Sequence, residues 1–395
     1  MPTRIRTVVV FGDSLSDIGQ KWNQPLGWFA NNTGLMVVNP SGRFSDCRNW
    51  TDFMYEEAAG SSLIVNDATL SYELSSAYFR LSSKSWIARE GNTTDKNFQY
   101  ANYAEGGACG DTPASYTGKF SLGTFKDQVD KFKEDCNNQE ISLGNTLFII
   151  WFGANDLYTA GINPLLMPKV AEQVCKTQRA RLESIVKDKG GKCWFVFVDI
   201  ARPLTSVRYS MRLKDAKKAV KNEAIQQIPQ NITSAGYKPI GGYVLAAREQ
   251  GWAETQLKDL DNQIEEIKKL ENGVNLYNSC LYLHARTNGD HIVRIGSLFT
   301  EDTIRALVRV NKKLKLGANT ALTPHISALR YDILSNSEDF STNISTVDQA
   351  HPTDAVYRLI WKEIYKVITD AQLVFGGLPG LTTTPLLSSL AGTLQ

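Results

Sequence analysis

Three consecutive valines, Val8 to Val10, lead into Phe11 and Gly12, and no other stretch constrains this chain as much. β-Branched side chains are stiff at χ1 and favour extended backbone. An unbroken apolar run, rather than an alternating one, suits a strand covered on both faces, as strands in parallel sheets are. Gly12, Asp13 and Asp17 then mark a turn at the strand's carboxyl end. The pattern recurs at Leu147 to Trp151, which ends at Gly153, and at Trp194 to Val198. Between these two strands Val170, Val174, Leu182, Ile185 and Val186 recur at helical spacing, and Gly190-Gly191 close the helix. Strand, helix, strand in that order predicts an α/β fold around a parallel sheet.

The rest of the chain extends this reading. Leu257, Leu260, Ile264, Ile267 and Leu270 share one face of a further helix. Val274 to Tyr277 is expected to be the next strand, and a last helix starts soon after Pro352 with Val356, Leu359, Ile360 and Ile364 inside. Met1 to Arg6 reads as a short polar lead. Two stretches do not fit a minimal core, about 206–251 and about 284–346, and are expected as insertions forming a cap or side lobe on a single domain, 1–395. The tail from 376 to 395 is rich in Gly, Pro, Thr, Ser and Leu. Leu373, Val374, Phe375, Leu378 and Leu381 either dock on the core or touch a bilayer.

With 395 residues, 42% of them hydrophobic, the chain can bury a large core. Its net charge of +2 gives no overall field that would gather nucleic acid, and none is expected as a partner. No stretch is long and apolar enough to span a bilayer. The early apolar run belongs to the Val8–Phe11 strand, so no cleavable signal peptide is expected. The six cysteines, Cys47, Cys109, Cys136, Cys175, Cys193 and Cys280, show neither paired nor zinc spacing and read as scattered thiols of a reducing compartment. No metal site is expected.

Four separated blocks hold what acyl transfer needs. The first is Phe11-Gly12-Asp13-Ser14-Leu15-Ser16-Asp17, which places a serine at the carboxyl edge of a sheet, where open α/β sheets bind ligands. A serine hydroxyl becomes a competent nucleophile when a base takes its proton. The second is Asn102-Tyr103-Ala104-Glu105-Gly106-Gly107, whose glycines let a backbone N–H approach a substrate oxygen. The third, Gly153-Ala154-Asn155-Asp156, offers an amide donor for a developing oxyanion. The fourth is Asp348-Gln349-Ala350-His351-Pro352-Thr353, where Asp348 can orient His351 across one turn. Taken singly each is weak: a surface turn, a loop, a helix cap, one of four histidines. Their joint order carries the reading.

These blocks resemble those of the SGNH hydrolase superfamily, the GDSL lipases and esterases. Ser41-Gly42-Arg43-Phe44-Ser45, Trp50-Thr51-Asp52-Phe53, the extension to Ala108, and His351-Pro352-Thr353 resemble its lipase branch. That set is similar to bacterial lysophospholipase A and glycerophospholipid:cholesterol acyltransferase enzymes, some of them injected into host cells by pathogens, and plant GDSL lipases share much of it. The resemblance covers roughly residues 5–200 and 345–366. It implies a flavodoxin-like three-layer α/β/α sandwich. It also implies Ser14 as nucleophile and oxyanion N–H donor, Gly107 as second N–H donor, Asn155 as side-chain donor, and Asp348 and His351 completing the triad. Asp13 and Asp156 rank second, the latter as a carboxylate holding the third block's loop.

The resulting expectation is a serine esterase that forms an acyl-enzyme on Ser14 and needs no cofactor. The leading substrate is a membrane lipid, processed as by a phospholipase A, a lysophospholipase or a glycerophospholipid acyltransferase. The location that follows is cytosolic, or a host cell reached by signal-independent secretion. The basic clusters Arg208, Arg212, Lys214, Lys217, Lys218, Lys221 and Lys312, Lys313, Lys315 are read as solvated faces or as contacts to anionic headgroups. The insertions are also candidates to bind an activating protein. Two rivals stand beside this reading: a carbohydrate or small-ester deacetylase, for which Trp22, Trp28, Trp86 and Trp252 could stack sugars, and a catalytically silent binding module.

Overall fold

The computed structural model describes residues 2–21, 38, 42–45, 48–59, 63, 78–82, 85–89, 98–111, 123–138, 141–203, 254–298 and 351–375. In chain order the strands are β1 (Thr3–Ile5), β2 (Thr7–Gly12), β3 (Tyr78–Ser82), β4 (Ser85–Arg89), β5 (Gln99–Asn102), β6 (Asn145–Trp151), β7 (Lys192–Val198), β8 (His291–Val293) and β9 (Leu373–Phe375). The helices are α1 (Trp50–Ala59), α2 (Phe125–Asn137), α3 (Ala154–Tyr158), α4 (Met167–Glu172), α5 (Arg179–Asp188), α6 (Glu254–Asn288), α7 (Ile295–Leu298) and α8 (Asp354–Asp370).

Among the described residues the main sheet runs β3-β4-β5-β2-β6-β7-β8, and β5, β2, β6, β7 and β8 are mutually parallel. In chain order those five lie second, first, third, fourth, fifth, which is the flavodoxin-like doubly wound arrangement. Strand β2 is buried along its whole length, as its apolar run predicts, and pairs with β5 on one side and β6 on the other. Connections from it therefore leave in opposite directions, and a crevice opens between the carboxyl ends of β2 and β6. Gly12 and Trp151, register partners, sit at that crevice.

The period of two along each strand sorts its side chains into two cores. Val8, Val10, Leu147, Ile149, Val196 and Val198 meet Trp50, Met54 and Tyr55 of α1 and Tyr357, Ile360 and Ile364 of α8. Val9, Phe11, Phe148, Ile150, Phe195 and Phe197 meet residues of α2, α4, α5 and α6. The result is the three-layer α/β/α sandwich expected. Phe11 centres the second core, in ring contact with Tyr103, Phe125, Phe132 and Phe148. Truncating it to alanine would cost about 3–5 kcal/mol of stability, the usual cost for a buried phenylalanine.

Three expectations change. Val274–Tyr277 is not a strand but the middle of α6, whose buried residues Ile267, Glu271, Val274, Tyr277, Asn278, Leu281 and Ala285 keep helical spacing without a break. Gly273 allows this helix a close approach: a Cβ there would stand 2.8 Å from Leu157 Cδ1. The stretch set aside as an insertion from about 284 begins with the end of α6, then β8, which pairs with β7 as an edge strand; three residues are too few to show a pattern in sequence. The lead is not merely polar: Thr3–Ile5 forms β1, parallel to β9, with Ile5 buried, so Leu373 and Phe375 dock on the core while Val374 faces outward. Residues 206–251, 299–346 and 376–395 lie outside the described residues, as do the two basic clusters, Leu378, Leu381, Trp22, Trp28, Trp252 and Asp348; of Trp86, only its backbone position on β4 is described. Among the described residues no helix is long and apolar enough to cross a membrane.

Candidate active site

Gly12 ends β2 in a crowded place. A Cβ on it would lie 2.9 Å from Ser16 Oγ and 3.0 Å from the Trp151 carbonyl oxygen. Its peptide groups are held by one side chain, Gln128 of α2, which accepts from Gly12 N–H at 3.1 Å and donates to the Gly12 carbonyl at 2.8 Å. The chain then turns: Ser16 N–H donates to the Asp13 carbonyl at 3.0 Å, and Leu15 N–H to Asp13 Oδ1 at 3.0 Å. Ser14 stands at the apex of that turn, 8% exposed, and Trp50 Nε1 donates to Ser16 Oγ at 3.1 Å to brace it.

Asp17 ties the first block to the second. Its carboxylate accepts from the N–H groups of Gly19, Gln20, Lys21 and, at 2.7 Å, Gly106. Burial nevertheless pushes its pKa up to about 6, outweighing the four N–H groups that stabilise the anion. Gly106 has no room for a side chain, since a Cβ would meet Phe44 Cζ at 2.4 Å. Gly107 follows with φ of 82°, a left-handed backbone that glycine takes without strain. Asn102 continues the stitching, with Nδ2 donating to the Ser16 carbonyl at 2.9 Å.

Asn155 and Asp156 join the third block to the second. Gly153, with φ of 113°, caps α3 and lies against the Tyr277 ring, where a Cβ would come within 2.8 Å. Asn155 Nδ2 donates to the Ala108 carbonyl at 3.1 Å, and its Oδ1 accepts from Thr159 Oγ at 2.8 Å, which orients the amide with its NH2 toward the Gly107–Ala108 loop. Asp156 accepts from Gly110 N–H at 2.7 Å and Asp111 N–H at 3.0 Å. It bolts the two loops together, and burial raises its pKa to about 6.

His351 arrives from the other side of the chain. Its Nε2 lies 2.7 Å from Ser14 Oγ. With Nε2 unprotonated, the Ser14 hydroxyl donates to it. The imidazole packs against the Phe44 ring, centroid to centroid 4.9 Å, and Phe44 also covers Gly106, so one side chain touches both His351 and the glycine loop. The loop before α8 is anchored at distance: Arg48 N–H and Nε both donate to Asp354, at 3.1 and 3.2 Å, and Tyr357 donates to the Phe44 carbonyl at 3.2 Å. Arg43 is fully buried and paired with Asp52, and it also donates to the Ile18 carbonyl, fixing the segment that carries Phe44.

Ser14, Gly107, Asn155 and His351 are thus brought to one edge, with Asp13 and Asp156 buried beneath it. Asp348 is three residues before His351 and falls outside the described residues. Sequence reasoning gave Phe44 and Arg43 only as parts of a motif, without roles, although the Arg43–Asp52 charge pair across two motifs was a visible signal. It gave Gln128 nothing, because a glutamine on a helix has no pattern to mark it.

The arrangement is a hydroxyl hydrogen-bonded to an imidazole, beside a glycine loop and an oriented amide, at the carboxyl edge of the sheet. A family model for GDSL-like lipases and acylhydrolases matches residues 8–364. No curated protein matches the chain significantly.

Proposed function

The chain belongs to the GDSL-like lipase/acylhydrolase family, and from that premise we propose that Ser14 is its nucleophile and His351 its base in acyl transfer from an ester through an acyl-enzyme. The 2.7 Å contact between His351 Nε2 and Ser14 Oγ carries this reading, because it joins residues 337 apart in sequence at the carboxyl edge of the sheet. His351 takes the Ser14 proton as Oγ attacks the carbonyl carbon. Ser14 N–H, Gly107 N–H and Asn155 Nδ2 receive the oxyanion; the amide has two donors, one of which is spent on Ala108. Collapse breaks the ester C–O bond, and the imidazolium gives its proton to the departing alcohol. Water then attacks the acyl-enzyme, losing its proton to His351, and the acid leaves as Oγ is reprotonated. An alcohol in place of that water would make the same centre an acyltransferase. Asp348 is assigned to hold the His351 tautomer.

The finer reading is a membrane lipid ester, cleaved as by a phospholipase A or lysophospholipase. It is supported by the lipase-branch motifs. It is also supported by Leu165 and Leu166, 67% and 43% exposed on the turn that follows the Asn155-bearing helix. Hydrolysis of p-nitrophenyl esters from acetyl to palmitoyl, wild type against Ser14→Ala, tests both levels. Activity lost in the variant and rising with chain length is expected. Activity confined to acetate would replace the lipid with a small ester, and activity surviving in Ser14→Ala would refute the nucleophile.

A further inference from the structure

The catalytic scheme leaves unused the buried acid that stands next to the nucleophile. Asp13, the residue before the nucleophile, is 1% exposed. Its Oδ1 accepts from Leu15 N–H, while Oδ2 is buried with no hydrogen-bond partner among the described residues. Buried carboxylates are normally satisfied at both oxygens, and one that is not either holds a proton or interacts with a charge. Charged and titratable groups face it from four elements. His351 comes from the loop before α8, Asp156 from α3, Tyr277 from α6, and Cys109 from the glycine loop. The Tyr277 hydroxyl is itself buried without a partner among the described residues.

We propose that Asp13 is a positioning residue that tunes the base: through the low-dielectric floor beneath Ser14 it exchanges charge state with His351, and the two titrate as a coupled pair. This rests on the assignment of His351 as base. Burial drives the Asp13 pKa up to about 7, against the Leu15 N–H and against the positive charge of His351, which pulls it down, while Asp156 pushes it up. The Ser14 Oγ that follows Asp13 in the chain is 2.7 Å from His351 Nε2, and electrostatic coupling between Asp13 and His351 is mutual. An ionised Asp13 holds the proton on His351, so that less of it is free base at a given pH; a neutral Asp13 lets the proton go at lower pH. Asp156, Cys109 and Tyr277 set the level of the cluster but lack its two features, adjacency to Ser14 and an open carboxylate oxygen.

The discriminating variant is Asp13→Asn, which keeps the shape and the acceptor for Leu15 but carries no charge. The rate at which a fluorophosphonate inactivates the full-length protein is followed from about pH 5 to about pH 9, the range that spans histidine and a raised carboxyl. Inactivation rises with pH as His351 loses its proton. In Asp13→Asn that midpoint is expected to move to lower pH by about one unit, the lower end of what an opposite charge at close range does. A purely structural role for Asp13 would scale the rate at every pH and leave the midpoint in place, and that result would overturn the proposal. Should the variant not fold, the His351 ring signal of the wild-type protein, labelled at histidine, carries the test. A titration broadened or split by a second group is expected, and a single simple step would overturn the proposal. Failure of Ser14 to react at all would instead refute the parent assignment, so the two failures are distinct.

Discussion

The two walls of the proposed active site are built by different physics. The wall that carries Ser14, Gly107 and Asn155 is stitched by polar side chains to backbone groups: Asp17 to four N–H groups, Asp156 to two, Gln128 to both peptide groups of Gly12. The wall that carries His351 is held by packing and by partners remote in sequence: the Phe44 ring, the Arg48–Asp354 pair and the Tyr357 hydroxyl. An oxyanion site must be aimed before reaction, and buried carboxylates that accept from backbone N–H groups fix a loop without side-chain freedom. A base must exchange its proton and needs only its ring plane and distance maintained, which an aromatic neighbour supplies.

Breaking either wall at its reacting atom should give the largest effect. Ser14→Ala and His351→Ala are each expected to lower kcat by roughly 10⁴-fold or more with little loss of fold, and the double variant should be no worse than either alone, because the pair acts as a unit. Steady-state kinetics on a soluble ester checks this; additive losses would separate the two residues. On the oxyanion side, Asn155→Ala should cost roughly 10²–10³ in kcat with KM nearly unchanged, the signature of a donor used in the transition state. A loss confined to KM would make Asn155 a ground-state contact.

The base side should respond to packing instead. Phe44→Ala leaves His351 and Gly106 without their shared cover. A misplacement of the base by about 1 Å is worth up to roughly 10²-fold in rate. The fall in kcat should be accompanied by a lower melting temperature, since Phe44 is buried. Phe44→Leu, which refills part of the volume, should recover stability more than rate. Equal recovery of both would show that the ring serves the core and not the base.

The smallest effect compares the walls through pH. The Asp13 pKa is raised in the folded protein from the ordinary 3.8 to about 7. The folded state therefore keeps a proton that the unfolded chain releases, and this contribution to stability, complete below about pH 4, is lost as pH rises toward 7. Asp17 and Asp156, each raised to about 6, act in the same direction. Asparagine at 13 has no such dependence. The melting temperature of Asp13→Asn relative to wild type should accordingly increase from acid to neutral pH, as followed by circular dichroism. A constant difference would mean that Asp13 is not buried as an acid.

What was legible in sequence divides by locality, and that line cuts through both walls. Features that act through the backbone leave residues of special type at fixed local spacing, so β2, β6, β7 and the three loops with Ser14, Gly107 and Asn155 could be read directly. Features that act by contact across the fold do not. Gln128 reaches Gly12 from 116 residues away, and Tyr357 reaches Phe44 across 313, with nothing local to mark either. The error at Val274–Tyr277 has a related cause: four residues suit a strand as well as a helix, and only the run from Ile267 to Ala285 reveals the helical period. Strands β1, β8 and β9, of three residues each, are too short to carry any pattern.

Ser14 Oγ, activated by His351, is proposed as the acyl-accepting atom of this chain. That assignment is met most directly by treating the intact protein with a fluorophosphonate and mapping the adduct by peptide mass spectrometry in wild type, Ser14→Ala and His351→Ala. One adduct is expected, on the peptide containing Ser14, absent from Ser14→Ala and formed far more slowly in His351→Ala. An adduct on another residue, or labelling of Ser14 at the wild-type rate without His351, would contradict it.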